Sequence, residues 1–202
     1  MKTPDTKKVQ TISRSVRLEG ITPIMFDRYA GDNKTTLEPG QKMYFERGTK
    51  KLVIPALNVM SFFSAQNTPS APKLLMDPRK YKKTAQIALA VTVITPDQIP
   101  LLGEKGQITF GKFETNDDGD ELDPKSGIFT HRSVARLPAG IPNPKVRPVV
   151  PVPWAIEFKL SLFPTPDLTE EQLYNLFVQG GQLLGLGTFR GVFGKFRVAD
   201  WS

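Results

Sequence analysis

The sequence predicts an α+β fold: an antiparallel sheet with two helices on one face and a projecting basic hairpin. Three observations predict it. Residues 154–163 alternate as a half-buried strand does, with Trp154, Ile156, Phe158, Leu160 and Leu162 set against Ala155, Glu157, Lys159 and Ser161. A helix with a marked start follows at 169. The order of elements along the chain is strand, helix, strand, insertion, strand, helix, strand, the split β-α-β order.

Residues 1–10 are a polar arm carrying Lys2, Lys7 and Lys8. The first strand spans 11–20, with Val16 and Leu18 facing in and Arg17 and Glu19 facing out. Pro23 takes the chain out of the sheet. Residues 43–45 and 52–54 read as a small hairpin turning at Arg47-Gly48. Pro55 starts the first helix over 56–64, with Leu57, Met60 and Phe63 on its apolar side. A cationic segment follows at 77–83. Residues 87–94, apolar on both faces and rich in β-branched side chains, suit a buried strand. A short strand is expected at 108–110. Residues 114–123 are acidic; their spacing does not fit an EF-hand, so they read as an exposed turn.

Residues 128–153 form two arms joined at 139–144. Arg132 and Arg136 lie on the first, Lys145 and Arg147 on the second. The prolines should keep the return arm extended and out of full ladder pairing. Such an element reads as a clamp on a phosphate backbone, or as an exposed hairpin kept soluble by charge.

The chain ends in a helix, a glycine-rich loop and a strand. Thr169 and Gln172 form a capping box, Leu168 and Leu173 a hydrophobic staple. Leu173, Leu176, Phe177 and Leu184 make one apolar face. In the loop, Gly187, Gly191 and Gly194 permit close approach, and Arg190, expected to be exposed, adds charge with Lys195. The pattern fits either an anion cradle or a tight helix-to-strand turn. In the last strand Phe196 and Val198 face one way, Lys195 and Arg197 the other.

Composition narrows the function. The 202 residues suffice for one domain with an insertion, and their net charge is +7. That charge, with a pI near 9.6, favours a polyanionic partner, nucleic acid first. There is no cysteine and one histidine, His131, which argues against thiolate or histidine-rich metal sites. No metal or cofactor is expected. No apolar run approaches the roughly 20 residues of a membrane helix, and the N-terminus lacks a secretory h-region, so a cytoplasmic protein with no membrane partner is expected. The outer sheet face, with Arg17, Glu19, Glu157, Lys159, Lys195 and Arg197, lacks stacked aromatics, so bases should not stack there. Binding is expected in the loops and projections instead.

The element order is that of ferredoxin-like (RRM-like) folds. Within that class the chain resembles the RAMP superfamily, the ferredoxin-like RNA-binding proteins of CRISPR systems. GGQLLGLGTFRGVFGKFRV carries the resemblance, and RLEGITPIMFDR looks like the first strand and turn of effector-complex backbone subunits. The basic hairpin sits where their thumb is inserted. The pattern also looks like uncharacterised bacteriophage proteins with the same ending. The resemblance implies one RAMP-like domain over 1–202 with 114–153 as a thumb-like insertion. It also implies single-stranded nucleic acid as partner, RNA before DNA, and self-association or CRISPR-like complex subunits, in a bacterial or phage-infected cell.

The expected contacts are Arg28, Arg132, Arg136, Lys145, Arg147, Gly187, Arg190, Gly191, Gly194 and Lys195, and no enzymatic activity is expected. Two rivals stand beside this reading: a phage structural or inhibitory protein that binds an acidic protein, and a weak metal-independent ribonuclease using His131.

Overall fold

In the computed structural model, which describes residues 11–32, 34–64, 70–117, 119–136 and 142–202 (backbone alone at 135, 136 and 142), the main sheet grows around its long central pair. These are β1 (Ile12–Gly20) and β11 (Ala155–Leu162), antiparallel from Ile12 opposite Leu162 to Glu19 opposite Ala155. Their apolar positions coincide across the ladder: Val16 meets Phe158 and Leu18 meets Ile156, all at most 5% exposed. β12 (Phe196–Trp201) adds to the free edge of β1. The other edge of β11 takes β4 (Thr92–Thr95) beside Lys159–Leu162 and β5 (Gln98–Gly103) beside Ala155 and Ile156. β3 (Val53–Pro55) pairs with β5, as does the short β6 (Gly106–Gln107). The order β12, β1, β11, then β4 and β5 is the ferredoxin-like order.

The helices α1 (Ala56–Met60), α2 (Ala71–Leu75) and α3 (Tyr81–Val91) connect β3 to β4, and α4 (Glu170–Leu183) connects β11 to β12. The capping box at Thr169 forms as expected: Gln172 N–H donates to Thr169 Oγ1 at 3.3 Å, and Thr169 N–H donates to Gln172 Oε1 at 2.9 Å. Gly180 and Gly181 do more than weaken α4. A Cβ at either would lie 2.5 Å from a ring, Phe62 or Phe196, so their bareness lets the helix close on the aromatic core. Phe62, Phe63, Phe177 and Phe196 are fully buried there, with Phe62 and Phe177 stacked at 5.9 Å.

Several expected elements differ. Residues 87–91 belong to helix α3, and only Thr92–Thr95 are strand. Thr84 and Ala85, with Ala88 one helical turn on, are the buried face of α3, and small alanines let it lie close. The first helix stops at Met60. The 43–54 hairpin does form, around the Phe45–Leu52 bridge: Glu46 N–H donates to Lys51 O at 2.9 Å and Val53 N–H to Tyr44 O at 3.0 Å, while the other edge of 53–55 pairs with β5. Residues 108–110 do run extended beside 50–52, through the Lys51–Thr109 bridge, with Leu52 N–H on Ile108 O at 2.8 Å and Phe110 N–H on Lys50 O at 2.9 Å.

A second sheet runs β2 (Ile24–Met25), β10 (Pro142–Val150), β9 (Phe129–Arg136), β8 (Glu121–Leu122) and β7 (Glu114–Thr115). Contrary to expectation, the return arm β10 pairs in unbroken register with β9, from Pro142 opposite Arg136 to Val149 opposite Phe129. Pro142, Pro144 and Pro148 share one parity. The Pro148 carbonyl accepts from Phe26 N–H on the side away from β9, at 3.1 Å. The missing N–H groups therefore face outward and cost no bond to β9. The acidic stretch forms the β7–β8 hairpin with an exposed turn, but Asp123 is 1% exposed. Burial pushes its carboxyl up, yet N–H donors from Gly111 and Lys125 and the Ser126 hydroxyl outweigh this and hold it low. Residues 1–10, and the hairpin tip at 137–141, lie outside the described residues.

Candidate nucleic-acid interface

Register decides which cations of the hairpin share a face. Side chains alternate along a strand, and cross-strand partners point the same way. His131 is opposite Arg147 and Ser133 opposite Lys145, so these four share one face. Arg132 is opposite Val146, on the other face, as is the backbone position of Arg136, whose side chain lies outside the described residues. The two arms therefore do not present their four cations as one clamp.

The first face is tied to the body of the protein. Arg147 Nε pairs with Asp27 Oδ2 at 2.7 Å, and its Nη1 donates to Ser133 Oγ at 3.0 Å. The Arg147 side chain is 12% exposed, so much of its charge is spent on Asp27. Lys42, buried at the end of a 3-10 turn (Pro39–Lys42), donates Nζ to the Val146 carbonyl at 2.6 Å. Burial pulls its pKa down; Asp27 opposes this, while Lys145 and Arg147 add to it. Lys42, Lys145 and Arg147 thus form one positive cluster near Asp27, with Glu38 a weaker second acid beside Lys42. Arg28 is exposed, at the rim of a separate shallow groove of about 290 Å³ with Gln41 and Phe45. Arg132 is exposed, and its Nη2 reaches the Gly119 carbonyl at 3.4 Å.

The glycine-rich loop packs against the chain between β1 and β2. Thr188 N–H donates to Met25 O at 2.9 Å, Gly194 N–H to Pro23 O at 2.7 Å, and Lys195 N–H to Thr22 Oγ1 at 3.0 Å. Gly191 N–H turns back to Leu184 O at 2.7 Å. These N–H groups stitch the loop to its neighbours rather than cradling an anion. Gly187 abuts Met25, whereas a Cβ at Gly191 would meet only Leu183 O, at an ordinary contact distance of 3.9 Å. Lys195 is half-buried. Since β2 pairs with β10, these contacts bring all three informative stretches of sequence together.

Arg190 is not the exposed side chain that the sequence suggests. It is half-buried, donating Nε to the Gly187 carbonyl at 3.2 Å and Nη2 to Ser61 Oγ at 2.6 Å, just beyond α1. Burial lowers its pKa. Arg190→Ala is expected to destabilise the protein by about 1–2 kcal/mol, read from the urea midpoint. A variant as stable as the parent would show that the loop holds without this strut.

Sequence reading missed an aromatic row. Phe189, at φ 54°, is 54% exposed. Its ring centroid lies 6.0 Å from that of Phe193, which lies 5.5 Å from that of His131 on the hairpin. The signal was two phenylalanines four apart in a loop, with no helix or strand to bury them. The outer face of the main sheet is, as expected, a ladder of opposite charges. Arg17 pairs with Glu157 and with Glu19 at 2.8 Å, and Arg197 pairs with Glu19 at 2.7 Å. These arginines hold the Glu19 carboxyl below its ordinary pKa. Among the described residues, no group of three or more His, Asp or Glu is placed to hold a metal.

No protein-family model matches this chain, and no curated protein matches it. Among solved structures, a chain of the cryo-EM structure of the Type III-B Cmr-beta bound to cognate target RNA is similar in fold, with a TM-score of 0.54 at 11% identity. The match covers 97% of this chain and 61% of that one, so this chain spans less than two thirds of its neighbour's length. The likeness is one of fold, and the fold is ferredoxin-like.

Proposed function

We propose that the chain is a non-enzymatic protein that holds single-stranded nucleic acid, RNA before DNA, where the hairpin meets the glycine-rich loop. One observation carries this: the face with Lys145 and Arg147 runs through His131 directly into the loop at Phe193. Cations and rings on one continuous surface suit a single strand, whose phosphates and bases are both accessible. The structural neighbour belongs to a complex bound to target RNA, which fits the same reading. Lys145 is assigned to phosphate contact. Arg147 and Arg190 are assigned to positioning, because each is committed to protein partners. Subunits assembled side by side along the strand belong to the same proposal.

Fluorescence anisotropy with a labelled RNA strand across a salt series tests it. The logarithm of affinity should fall linearly with the logarithm of salt. Lys145→Ala should reduce that slope by about 0.7, the value for one phosphate contact on a single strand. Arg132→Ala, on the opposite face, should leave it unchanged. Equal effects from the two variants would overturn the face assignment, and salt-independent affinity would overturn the function. Side-by-side assembly should show as a stoichiometry that grows regularly with strand length; one protein per strand at all lengths would exclude it.

A further inference from the structure

We infer that Phe189 is a stacking platform for one unpaired nucleobase of the bound strand, an inference that rests on the proposed nucleic-acid reading. Phe189 combines three properties. Its ring is 54% exposed. Its backbone sits at φ 54°, a conformation costly for a bulky side chain and found mainly where surrounding structure enforces it. The enforcing contacts lie on both sides: Thr188 N–H to Met25 O at 2.9 Å before it, and Gly191 N–H to Leu184 O at 2.7 Å after it. The fold therefore holds a large apolar side chain outward on a loop whose backbone is braced before any partner arrives.

Charge and spacing name the occupant. From Phe189 the rings pass to Phe193 and then His131, and His131 shares its strand face with Arg147 and Lys145. An apolar ring beside a cationic track is complementary to a base beside its own phosphate. A duplex does not fit, because its bases are already stacked on both sides. Stacking uses a π-face that all bases possess, so the platform should favour single strands without favouring a sequence.

The test compares an RNA strand, the same strand with abasic sugars, and its duplex, against the parent, Phe189→Ala, Phe189→Gly and Phe189→Trp. Glycine removes the ring and relieves the positive φ, so that variant reports binding without a folding penalty. Both ring-deleted variants should bind the intact strand roughly 5- to 100-fold more weakly, with an unchanged salt slope, since stacking displaces no counterion. Their affinity for the abasic strand should equal the parent's, and Phe189→Trp should keep the parent's preference for bases. The inference is overturned if Phe189→Gly binds the intact strand as the parent does, or if the parent binds intact, abasic and duplex RNA alike. A parent that keeps its salt slope in those cases leaves the broader reading standing. A parent with no salt-dependent binding removes both.

Discussion

Gly194→Ala should cost about 3 kcal/mol or more of stability, the largest effect expected of an added methyl group at any described glycine. Gly194 sits at φ 74°, where L side chains are strained, and an added Cβ would fall on the carbonyl oxygen of Leu186. That carbonyl cannot retreat independently, because Leu186 N–H is bonded to the Gly194 carbonyl at 2.9 Å. Gly194 N–H in turn holds Pro23 O, where the chain leaves the main sheet for the second. One methyl group would thus push apart the closure of the loop and the seam between the sheets. Gly191→Ala is the matched control. It has a similar positive φ, 89°, but its nearest neighbour would be Leu183 O at 3.9 Å, so only the conformational cost of about 1 kcal/mol remains. Urea midpoints of the two variants measure the contrast. Equal losses would mean that the steric account of Gly194 is wrong.

The same loop shows where sequence reading succeeds and where it stops. The start of α4 was legible because a capping box and a staple are local: Thr169, Gln172, Leu168 and Leu173 lie within six residues. β11 was legible because its period-2 pattern coincides with burial on one face. α3 was not, because its alanine-lined buried face and the strand after it read together as one apolar run. β5 went unread, since Pro100 hides a strand whose partner, β3, lies far back in the chain. At the candidate site the cations themselves were legible, but their grouping was not. Whether Arg132 and Lys145 share a face depends on hairpin register, which the residues alone leave open by one position. Arg190 was misjudged as exposed because its partner Ser61 lies 129 residues away. The glycines promised close approach, and they deliver it to the protein's own backbone at Leu186 and Met25.

Asp27→Ala should move stability and binding in opposite directions. Asp27 is the carboxylate paired with Arg147, whose side chain is 12% exposed, and it also acts on buried Lys42. Removing it leaves the Arg147 guanidinium with Ser133 Oγ as its one side-chain partner among the described residues, and leaves Lys42, Lys145 and Arg147 repelling one another. The expected loss is about 2 kcal/mol at low ionic strength, smaller than for a fully buried pair because Asp27 keeps 24% exposure. Added salt should shrink the loss by screening the cluster. The pH dependence follows from Lys42. Its folded pKa lies below its ordinary 10.5, so the unfolded chain binds more protons in between, and stability rises with pH through that window. Asp27 raises the Lys42 pKa, so its removal widens the window downward, and part of the deficit should disappear as the pH climbs from 7 towards 10. Binding should respond the other way. With one negative charge gone from the hairpin face, a folded Asp27→Ala protein should hold single-stranded RNA more tightly, with a steeper salt slope. Urea titrations at two salt concentrations and two pH values, with anisotropy under conditions where the variant is folded, measure both arms. If the folded variant binds RNA no better than the parent, the phosphates do not lie on the Lys145 face, and the strand must run elsewhere on the molecule.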